Sequence, residues 1–427
     1  MKTIPTKLTV LLLALALALP LAACVGGRET PPSPSQSATV EPTSPTSPVE
    51  TDPSPSPSAD PEEAVRNYWK PEQLTQAWGP DQVVEHLFFH PVIAYPEFAF
   101  KTSDGKGLDD WMVTVDEYKK ILDSLYEKGY ILVPMESVWS EYTNENGETR
   151  MQRNTLMLPE GKKPLIFSFD DVNYYDYMLN EGFMSKLILG EDGDIWAYGV
   201  NPLTGEEVIT QDLDATTILD KFVREHPDFS LNGAKGVFSL TGFQGILGYR
   251  TQNDIDIKAD DPARGAFDAK RQSEIDAVKP IIARLKETGW TFGSHTWGHI
   301  RLAATGESAD ARMKRDTLRW LEEVGSLVGP TQILFYPHGG RPDGDNDVTQ
   351  TGPQFRWLQE QGFRVFASVG IDSYSKIKTD ISAVICDRLH PDGTTLRSGK
   401  ERERYLKFYD AKDIIDLKNR PDLGVTW

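Results

Sequence analysis

The sequence predicts an α/β fold with parallel strands, and three observations point to this class. Apolar runs alternate along the chain with amphipathic segments of helical period. Three glycines, Gly129, Gly289 and Gly362, each end a helical pattern and lead into an apolar run, as expected of a C-terminal helix cap. Short polar motifs follow several of the apolar runs, at the strand ends where parallel barrels keep their active sites.

The individual elements follow from these patterns. Apolar runs bounded by turn residues predict strands at 84–94, 130–134, 164–169, 236–240, 291–294, 332–336, 365–369 and 383–388. Helical periodicity predicts helices at 115–128, 218–226, 267–287, 309–328 and 352–361. Thr114 is the expected N-cap of the first helix, with Glu117 as its capping-box partner. Residues 173–232 are rich in Gly, Asp and Asn, and we interpret them as an insertion over one rim of the site, for substrate selection or as surface decoration.

The N-terminus has the pattern of a bacterial export signal. Lys2 and Lys7 supply positive charge, and the apolar run 8–19 is too short to span a membrane comfortably. The string LAAC ends at Cys24 and resembles a lipobox, which predicts a lipoprotein signal peptide over residues 1–23 and a lipid on Cys24. An ordinary secretory peptide cut at the same bond and a signal anchor are the alternatives. The lipoprotein interpretation predicts an extracytoplasmic protein anchored to the cell membrane.

Residues 24–62 predict a disordered tether. Pro, Ser and Thr dominate this segment, so it cannot bury enough apolar surface to offset the entropy of ordering. At about 3.1 Å per residue, an extended proline-rich segment of roughly 38 residues reaches on the order of 100 Å. Residues 63–427 are numerous enough for one large domain or two small ones, and we expect a single catalytic domain.

The chain is acidic, with a formal net charge of -19. Loss of Lys2 and Lys7 with a signal peptide would make the mature protein two units more negative. Such an acidic surface argues against nucleic acid or anionic lipid as a partner of the protein. We expect the protein to be a monomer. If Cys24 carries a lipid, Cys386 is the remaining thiol, so no internal disulfide can form and the core must supply the stability.

The first polar motif, FSFDD, ends a predicted strand at Asp170 and Asp171. Adjacent side chains of a strand point to opposite sides, but a turn at the strand end lets both reach one cavity. Because two neighbouring carboxylates repel, we expect a cation to hold one of them while the other takes a proton from water. A solvated loop start or a helix cap is the alternative for an isolated Asp-Asp pair.

The second motif, HTWGH, places His295 and His299 four residues apart, a spacing at which two imidazoles on a turn of helix can ligate one metal. The intervening Trp-Gly favours a tight loop-helix over a regular helix. His86 and His90 have the same spacing, but their apolar run predicts a strand, in which such residues lie about 13 Å apart. We interpret that pair as structural, with His90 able to line the site.

The third motif, YPHG, predicts a sharp turn after a strand, because Pro337 fixes φ and Gly339 permits tight bending. In that turn the backbone N–H of His338 could point at a developing oxyanion, and the alternative is a plain strand-to-loop turn. Together the three motifs offer two imidazoles and a carboxylate for a metal, and a second carboxylate as a base. These are the components of metal-assisted hydrolysis.

The three motifs resemble those of the polysaccharide deacetylase family, also called the NodB homology domain or carbohydrate esterase family 4. Residues 168–172 (SFDDV) are similar to its Thr-Phe-Asp-Asp-Gly, residues 295–299 match its His-Ser/Thr-x-x-His, and residues 336–339 (YPHG) are similar to its Tyr-Pro-Tyr-Gly. The resemblance covers about residues 160–390. Weaker similarity includes residues 87–90 (LFFH) further upstream.

This resemblance implies a distorted (β/α)7-type barrel as a single large domain. It implies a divalent metal, usually zinc, held by Asp171, His295 and His299, with Asp170 as the catalytic base. In the reaction it implies, water attacks an acetamide carbonyl, acetate leaves, and a general acid protonates the amine of the sugar. His390, which follows the last predicted strand, is the best match for that acid.

Three positions depart from the family pattern. Val172 replaces a glycine, so the approach of the backbone differs. Phe335 stands where the family has the arginine that orients the base. His338 replaces a tyrosine, which adds a titratable group to the turn and makes His338 the alternative general acid.

We therefore expect a surface lipoprotein that removes N-acetyl groups from an extracytoplasmic N-acetylhexosamine polymer. Peptidoglycan is nearest at hand for a tethered enzyme, and an exopolysaccharide or a chitin-type oligomer is the other kind of substrate. Such an enzyme is a hydrolase acting on carbon–nitrogen bonds other than peptide bonds. A glycan-binding lipoprotein that has lost turnover, and a metal hydrolase of another ester or amide, are the alternatives.

Overall fold

The computed structural model describes residues 60–344, 352–378, 382–421 and 424–427. The predicted signal peptide, Cys24 and all but the last three residues of the predicted tether lie outside this part of the chain. The described residues fall in one unit, Ser58–Trp427. None of the helices among them combines the length and apolar character that a bilayer crossing requires.

The secondary structure of the described residues is mixed. The strands are β1 (Gln76–Trp78), β2 (Glu85–Phe89), β3 (Tyr130–Leu132), β4 (Trp139–Thr143), β5 (Thr149–Arg153), β6 (Leu156–Leu158), β7 (Lys163–Asp170), β8 (Lys186–Leu189), β9 (Ile195–Val200), β10 (Glu207–Thr210), β11 (Val237–Leu240), β12 (Thr291–Ser294), β13 (Ile333–Phe335), β14 (Val365–Val369), β15 (Tyr374–Lys378) and β16 (Ala383–Arg388). The helices are α1 (Pro61–Arg66), α2 (Pro96–Ala99), α3 (Gly105–Trp111), α4 (Val115–Glu127), α5 (Ala215–Glu225), α6 (Arg264–Glu287), α7 (Glu307–Trp320), α8 (Ser326–Val328), α9 (Pro353–Glu360), α10 (Gly393–Arg397), α11 (Gly399–Tyr405) and α12 (Ala411–Ile414).

Parallel strands form a barrel in the order β16-β14-β13-β12-β11-β7-β2. The barrel closes between β2 and β16, where the N–H of Phe88 donates to the carbonyl of Leu389 at 2.9 Å and the N–H of Leu389 donates to that of His86 at 3.0 Å. Strand β3 pairs parallel with β7, and β15 pairs antiparallel with β16. The predicted α/β barrel class is therefore confirmed.

Alternation along β7 decides which of its side chains enter the barrel. Phe167 and Phe169 pack outward in the large cluster that the helices cover, whereas Ile166 belongs to the cluster inside the barrel. Because side chains of a strand alternate, Ser168 and Asp170 share the inward side with Ile166. All three are buried. The inner surface of β7 therefore changes from apolar to polar toward its carboxyl end.

The predicted elements are confirmed in place, with changes at their ends. Strands β12, β14 and β16 have the predicted bounds, and the capping box of Thr114 and Glu117 at α4 is formed. The predicted strand 84–94 is too long, since β2 ends at Phe89. The predicted helix 309–328 is divided, because the π-helix Leu321–Gly325 separates α7 from α8.

Several short elements were not predicted. The hairpin β4–β5 carries mostly polar side chains and shows no strand alternation of apolar residues. Within the predicted insertion 173–232, the strands β8, β9 and β10 form a separate antiparallel sheet. Helix α5 then leads the chain back toward barrel strand β11. The insertion therefore has secondary structure of its own.

Candidate active site

The carboxyl ends of the barrel strands surround a cavity of about 470 Å³, which is within the usual range for a small-molecule site. Every side chain that the sequence singled out for catalysis borders it, except that Asp171 lies beside it as a neighbour of Asp170. The lining residues are Phe88, His90, Trp111, Asp170, His295, His299, Tyr336, His338, Val369 and His390. The fold thus brings together residues that lie far apart in the sequence.

Asp171, His295 and His299 form a compact group of donor atoms. One ligand atom from each lies within 4.8 Å of the others, and Nε2 of His299 is 3.6 Å from Oδ2 of Asp171. The two imidazole rings have their centroids 4.9 Å apart. One carboxylate and two imidazoles are a donor set that suits zinc and similar divalent ions. The group could therefore hold a divalent metal.

The backbone at this group is held in the left-handed region. Asp171 has a φ of 60°, Thr296 of 61° and His299 of 50°. Each such residue other than glycine costs on the order of 1–3 kcal/mol, and such strain clusters at functional sites. Residues 295–299 contain no helix, so the predicted loop-helix is wrong. A strained loop, rather than helical spacing, brings the two histidines together.

Side chains from α7 and the π-helix hold this loop in place. The carboxylate of Asp316 accepts the N–H of Trp297 at 2.7 Å and that of Gly298 at 2.8 Å. The indole N–H of Trp297 donates to Glu323 at 3.1 Å, and the guanidinium of Arg319 lies 3.4 Å from the centre of the indole ring. Burial raises the pKa of Asp316 above its usual value. The loop between the two histidines is thus fixed from behind.

His295 is oriented by a second contact. Its Nδ1 lies 3.1 Å from the carbonyl oxygen of Phe335, so we assign the proton to Nδ1 as the donor. The lone pair of Nε2 is then available to a metal, which is how backbone carbonyls commonly orient metal-binding histidines. Burial lowers the pKa of His295, which favours the neutral ring that a metal requires.

Asp171 is oriented by Tyr175. The phenol O–H of Tyr175 donates to Oδ1 of Asp171 at 2.7 Å, and its oxygen also lies 2.6 Å from the hydroxyl of Thr241. Oδ2 of Asp171 is left on the side of His299. Burial, followed by the charge of Asp171, raises the pKa of Tyr175 well above its usual value, so the phenol keeps its proton.

Asp170 is held by a buried arginine that the sequence did not point to. Arg388 donates from both ends of its guanidinium, at 2.7 Å to Oδ1 and 2.9 Å to Oδ2, and also donates to the hydroxyl of Ser168 at 2.9 Å. Burial by itself would raise the pKa of Asp170, but the charge and hydrogen bonds of Arg388 outweigh it and hold that pKa well below its usual range. Asp170 is therefore ionised and fixed in direction.

Arg388 reaches Asp170 from the other side of the barrel closure. It ends β16, where Cys386 belongs to the interior cluster, so alternation points Arg388 into the barrel as well. Its guanidinium lies 4.2 Å from the ring centre of Phe88 and 4.5 Å from that of Phe335. The guanidinium that holds Asp170 therefore comes from the end of β16, and Phe335 packs against it.

His390 is part of a chain of hydrogen bonds at the cavity wall. Its Nδ1 lies 3.2 Å from Oδ2 of Asp392, and its Nε2 lies 3.0 Å from Nδ1 of His90. Phe88 stacks on its ring at 4.3 Å. Burial, then the charge of His390, lowers the pKa of His90 to about 4. The hydrogen-bonded side chains Asp392, His390 and His90 therefore form a series that reaches the cavity. Its two imidazole rings can pass a proton from one to the other.

His338 lies on the other side, against the candidate metal group. Its ring packs edge-on against that of His299 at 4.5 Å, and its backbone is left-handed with a φ of 55°. The short turn Pro337–Gly339 sets this conformation. Burial lowers the pKa of His338. Its predicted roles, as oxyanion donor or alternative acid, stay predictions.

Sequence reasoning missed four residues of the site. Arg388 ends the last predicted strand, and a charged residue in that largely apolar run was the signal that could have identified it. Asp392 lies just after the same strand. Tyr175 lies close after the first motif, where aromatic residues are frequent. Trp111 gives no local signal, because only the fold places the end of α3 at the cavity. Val172 is buried in the outer core cluster, so the family's glycine is replaced by a packing residue.

Comparison with known proteins finds similar structures. No protein-family model and no curated protein matches the chain. The chain is similar to the Streptococcus pyogenes deacetylase PplD in complex with acetate, at 13% identity and a TM-score of 0.35, over 73% of this chain and 94% of that one. It is similar to IcaB from Ammonifex degensii at 12% identity and a TM-score of 0.36, over 77% and 97%. A polysaccharide deacetylase from Bacillus cereus, BC0361, has 11% identity and a TM-score of 0.34, over 78% and 69%.

Proposed function

We propose that this chain is a metal-dependent deacetylase that removes N-acetyl groups from an extracytoplasmic N-acetylhexosamine polymer. One observation carries the proposal: the two adjacent carboxylates differ in their closest partners. Asp170 is clamped by Arg388 and has Nε2 of His295 at 3.7 Å from its Oδ2, while Asp171 groups with both His295 and His299. A hydrolase needs this division between base and metal ligand, whereas a protein that only binds glycans does not.

Asp171, His295 and His299 would hold the metal, and zinc is the ion that we propose. The orientation of His295 by the carbonyl of Phe335 and of Asp171 by Tyr175 fits this role. A bound divalent ion would polarise the acetamide carbonyl and lower the pKa of water toward about 7.

Asp170 takes the proton of the attacking water at a carboxylate oxygen. Arg388 keeps this carboxylate ionised and aims it into the cavity, which is the positioning that general-base catalysis requires. The family's arginine is replaced at position 335, but its task is not lost, because Arg388 performs it from β16. This removes the main reason to regard the chain as an inactive binder.

His390 and His90 supply the proton to the amine that leaves. In this step His390 carries both ring protons: Asp392 accepts the Nδ1 proton, and Nδ1 of His90 accepts the Nε2 proton, so that His90 can release the proton of its own Nε2 to the amine. The proton that Asp170 takes from water balances the one that the histidines give up. The C–N bond of the acetamide breaks as this proton reaches the nitrogen, and acetate carries away the oxygen of water. We propose the backbone N–H of His338 as the donor that stabilises the oxyanion.

The proposed setting is the outer face of the cell membrane. A lipid on Cys24 and the Pro-, Ser- and Thr-rich tether would hold the barrel as a monomer within reach of peptidoglycan or an exopolysaccharide. Acetate release from both kinds of polymer, measured with zinc and with a chelator, tests the reaction. Loss of zinc-dependent release in Asp170→Asn supports it. Zinc binding without release from any N-acetylated glycan contradicts it and favours hydrolysis of another ester or amide.

A further inference from the structure

A serine hydroxyl joins Arg388 to a buried histidine inside the barrel. The hydroxyl oxygen of Ser168 lies 2.9 Å from a terminal guanidinium nitrogen of Arg388 and 2.9 Å from Nε2 of His86. Ser168 belongs to β7, His86 to β2 and Arg388 to β16. All three side chains are buried. The two contacts therefore connect three strands at the place where the barrel closes.

The chemistry of the three groups sets the direction of each hydrogen bond. A guanidinium can only donate, so the oxygen of Ser168 accepts from Arg388. Among the residues that the structure describes, Nε2 of His86 is then the one acceptor for the hydroxyl proton of Ser168. A neutral ring that accepts at Nε2 carries its own proton at Nδ1. Burial, and then the charge of Arg388, lowers the pKa of His86 well below its usual value, which agrees with a neutral ring.

A serine hydroxyl that donates to an imidazole is also the arrangement of an activated nucleophile. Neither Ser168 nor His86 lines the catalytic cavity, however, and the side chain of Ser168 has no contact with solvent. A substrate carbonyl cannot reach a hydroxyl that is enclosed in this way. The effect of the pair on a reaction must therefore pass through Arg388.

The hydroxyl of Ser168 completes the contacts that fix the guanidinium of Arg388. The two phenylalanine rings that pack against the guanidinium offer it no oxygen or nitrogen as an acceptor. Within the described part of the chain, its acceptors besides Asp170 are Ser168 at 2.9 Å and the carbonyl of Ser368 at the longer distance of 3.4 Å. Hydrogen bonds in series polarise one another, so donation from Ser168 to His86 strengthens the acceptor that Arg388 meets.

We propose that Ser168 and His86 are positioning residues for the catalytic base, because they hold Arg388 and, through it, the carboxylate of Asp170. The role of Asp170 as the base rests on the function proposed above. Loss of the hydroxyl leaves the guanidinium less firmly placed, and a base displaced by about 1 Å can lose on the order of 100-fold in rate. Substrate binding is spared, since neither positioning residue lines the cavity.

The test uses two substitutions in the pair and one matched control, each in the full-length protein. Ser168→Ala removes the hydroxyl, and His86→Leu removes the group that accepts its proton. Ser239→Ala is the control, because Ser239 pairs in register with Asp170 on the neighbouring strand β11 and is equally buried. The hydroxyl of Ser239 has no hydrogen-bond partner in the described part of the chain, so its removal breaks no such contact.

Two measurements are made on protein purified in detergent. Hydrogen exchange of the guanidinium of Arg388 is followed by NMR of metal-free protein labelled with 15N-arginine, and the signals are assigned by their absence in Arg388→Lys. The kcat and KM of acetate release from the N-acetylglucosamine tetramer are then measured with zinc. Ser168→Ala should speed the exchange and lower kcat, each about tenfold, with KM within about twofold of the wild type.

His86→Leu should change both quantities in the same direction, and the double variant should match Ser168→Ala, because the two residues act through one contact. Ser239→Ala should behave as the wild type. Wild-type exchange in Ser168→Ala, an equal change in Ser239→Ala, or a raised KM with kcat unchanged would each overturn the proposal. If the wild type releases no acetate, the proposed function fails, and the exchange rates still decide whether Ser168 and His86 hold Arg388.

Discussion

Replacing Arg388 by methionine should damage both stability and catalysis, because the guanidinium is the partner of a buried charge. Asp170 is 2% exposed and Arg388 is fully buried. Removal of one partner of a buried ion pair costs about 3–5 kcal/mol, since the other charge stays uncompensated. Without the charge and hydrogen bonds of Arg388, the pKa of Asp170 would rise from its present low value, because burial would be opposed only by the nearby histidines. For catalysis, a base that has lost its orientation is expected to lower kcat on the order of 100-fold.

The assay pairs urea unfolding of metal-free protein with the rate of acetate release. Arg388→Lys separates charge from geometry, because lysine keeps the charge and loses the two-point contact with Asp170. We expect a smaller loss of stability than in Arg388→Met and still a clear loss of kcat. Asp170→Asn combined with Arg388→Met should recover much of the lost stability, because no unpaired charge is then buried.

A near-native Arg388→Met variant would show that the ion pair has neither role. If Arg388→Met unfolds within about 1 kcal/mol of the wild type and keeps its kcat, then the pair seen in the barrel neither stabilises the fold nor aims the base. If the double variant does not regain stability, the stability lost in Arg388→Met came instead from the packing of Arg388 against Phe88 and Phe335.

Three further predictions concern residues in and behind the site. Asp316→Ala should weaken zinc binding about tenfold by freeing the loop between the two histidines, as a titration with a competing chelator would show; unchanged affinity would contradict it. His86 has its pKa lowered well below 6.5, by burial and then by Arg388, so the unfolded state binds more protons and stability falls as pH drops below about 6.5. His86→Gln should flatten that slope by up to about 1.4 kcal/mol per pH unit in urea unfolding without metal, whereas an equal slope would refute the assignment. His390→Gln should lower kcat by about 10²–10⁴-fold, and Asp392→Asn should lower it by less. Both variants should also shift the alkaline limb of the pH–rate profile. If both keep the wild-type kcat and pH–rate profile, His390 is not the general acid.

The sequence predicted the strand ends that carry the motifs, because each motif follows a short, largely apolar run bounded by turn residues, as expected of a buried strand. The grouping of Asp171 with His295 and His299 came from the resemblance to the deacetylase motifs, since the local pattern did not say which aspartate joins the histidines, and the barrel brings the three together. It could not predict the partner of Asp170, since Arg388 lies 218 positions further along the chain and meets it only through closure of the barrel. A local pattern does not specify such a contact.

The same limit applies to the histidine chain. His90 and His390 are 300 positions apart, and the closure of β2 on β16 sets their distance. The conformation of the loop at Trp297 was also missed, since its two amides are held by Asp316 from a helix that begins beyond the motif. Spacing alone favoured a helical turn, but the contacts with Asp316 select a strained loop.

The decisive experiment for zinc-dependent deacetylation is acetate release from N-acetylated chitooligomers and peptidoglycan, with zinc and with a chelator, for wild type and Asp170→Asn. We expect release that requires zinc, stops with the chelator, and is lost in the variant while one zinc per chain stays bound. Absence of zinc binding, or equal release by Asp170→Asn, would contradict it.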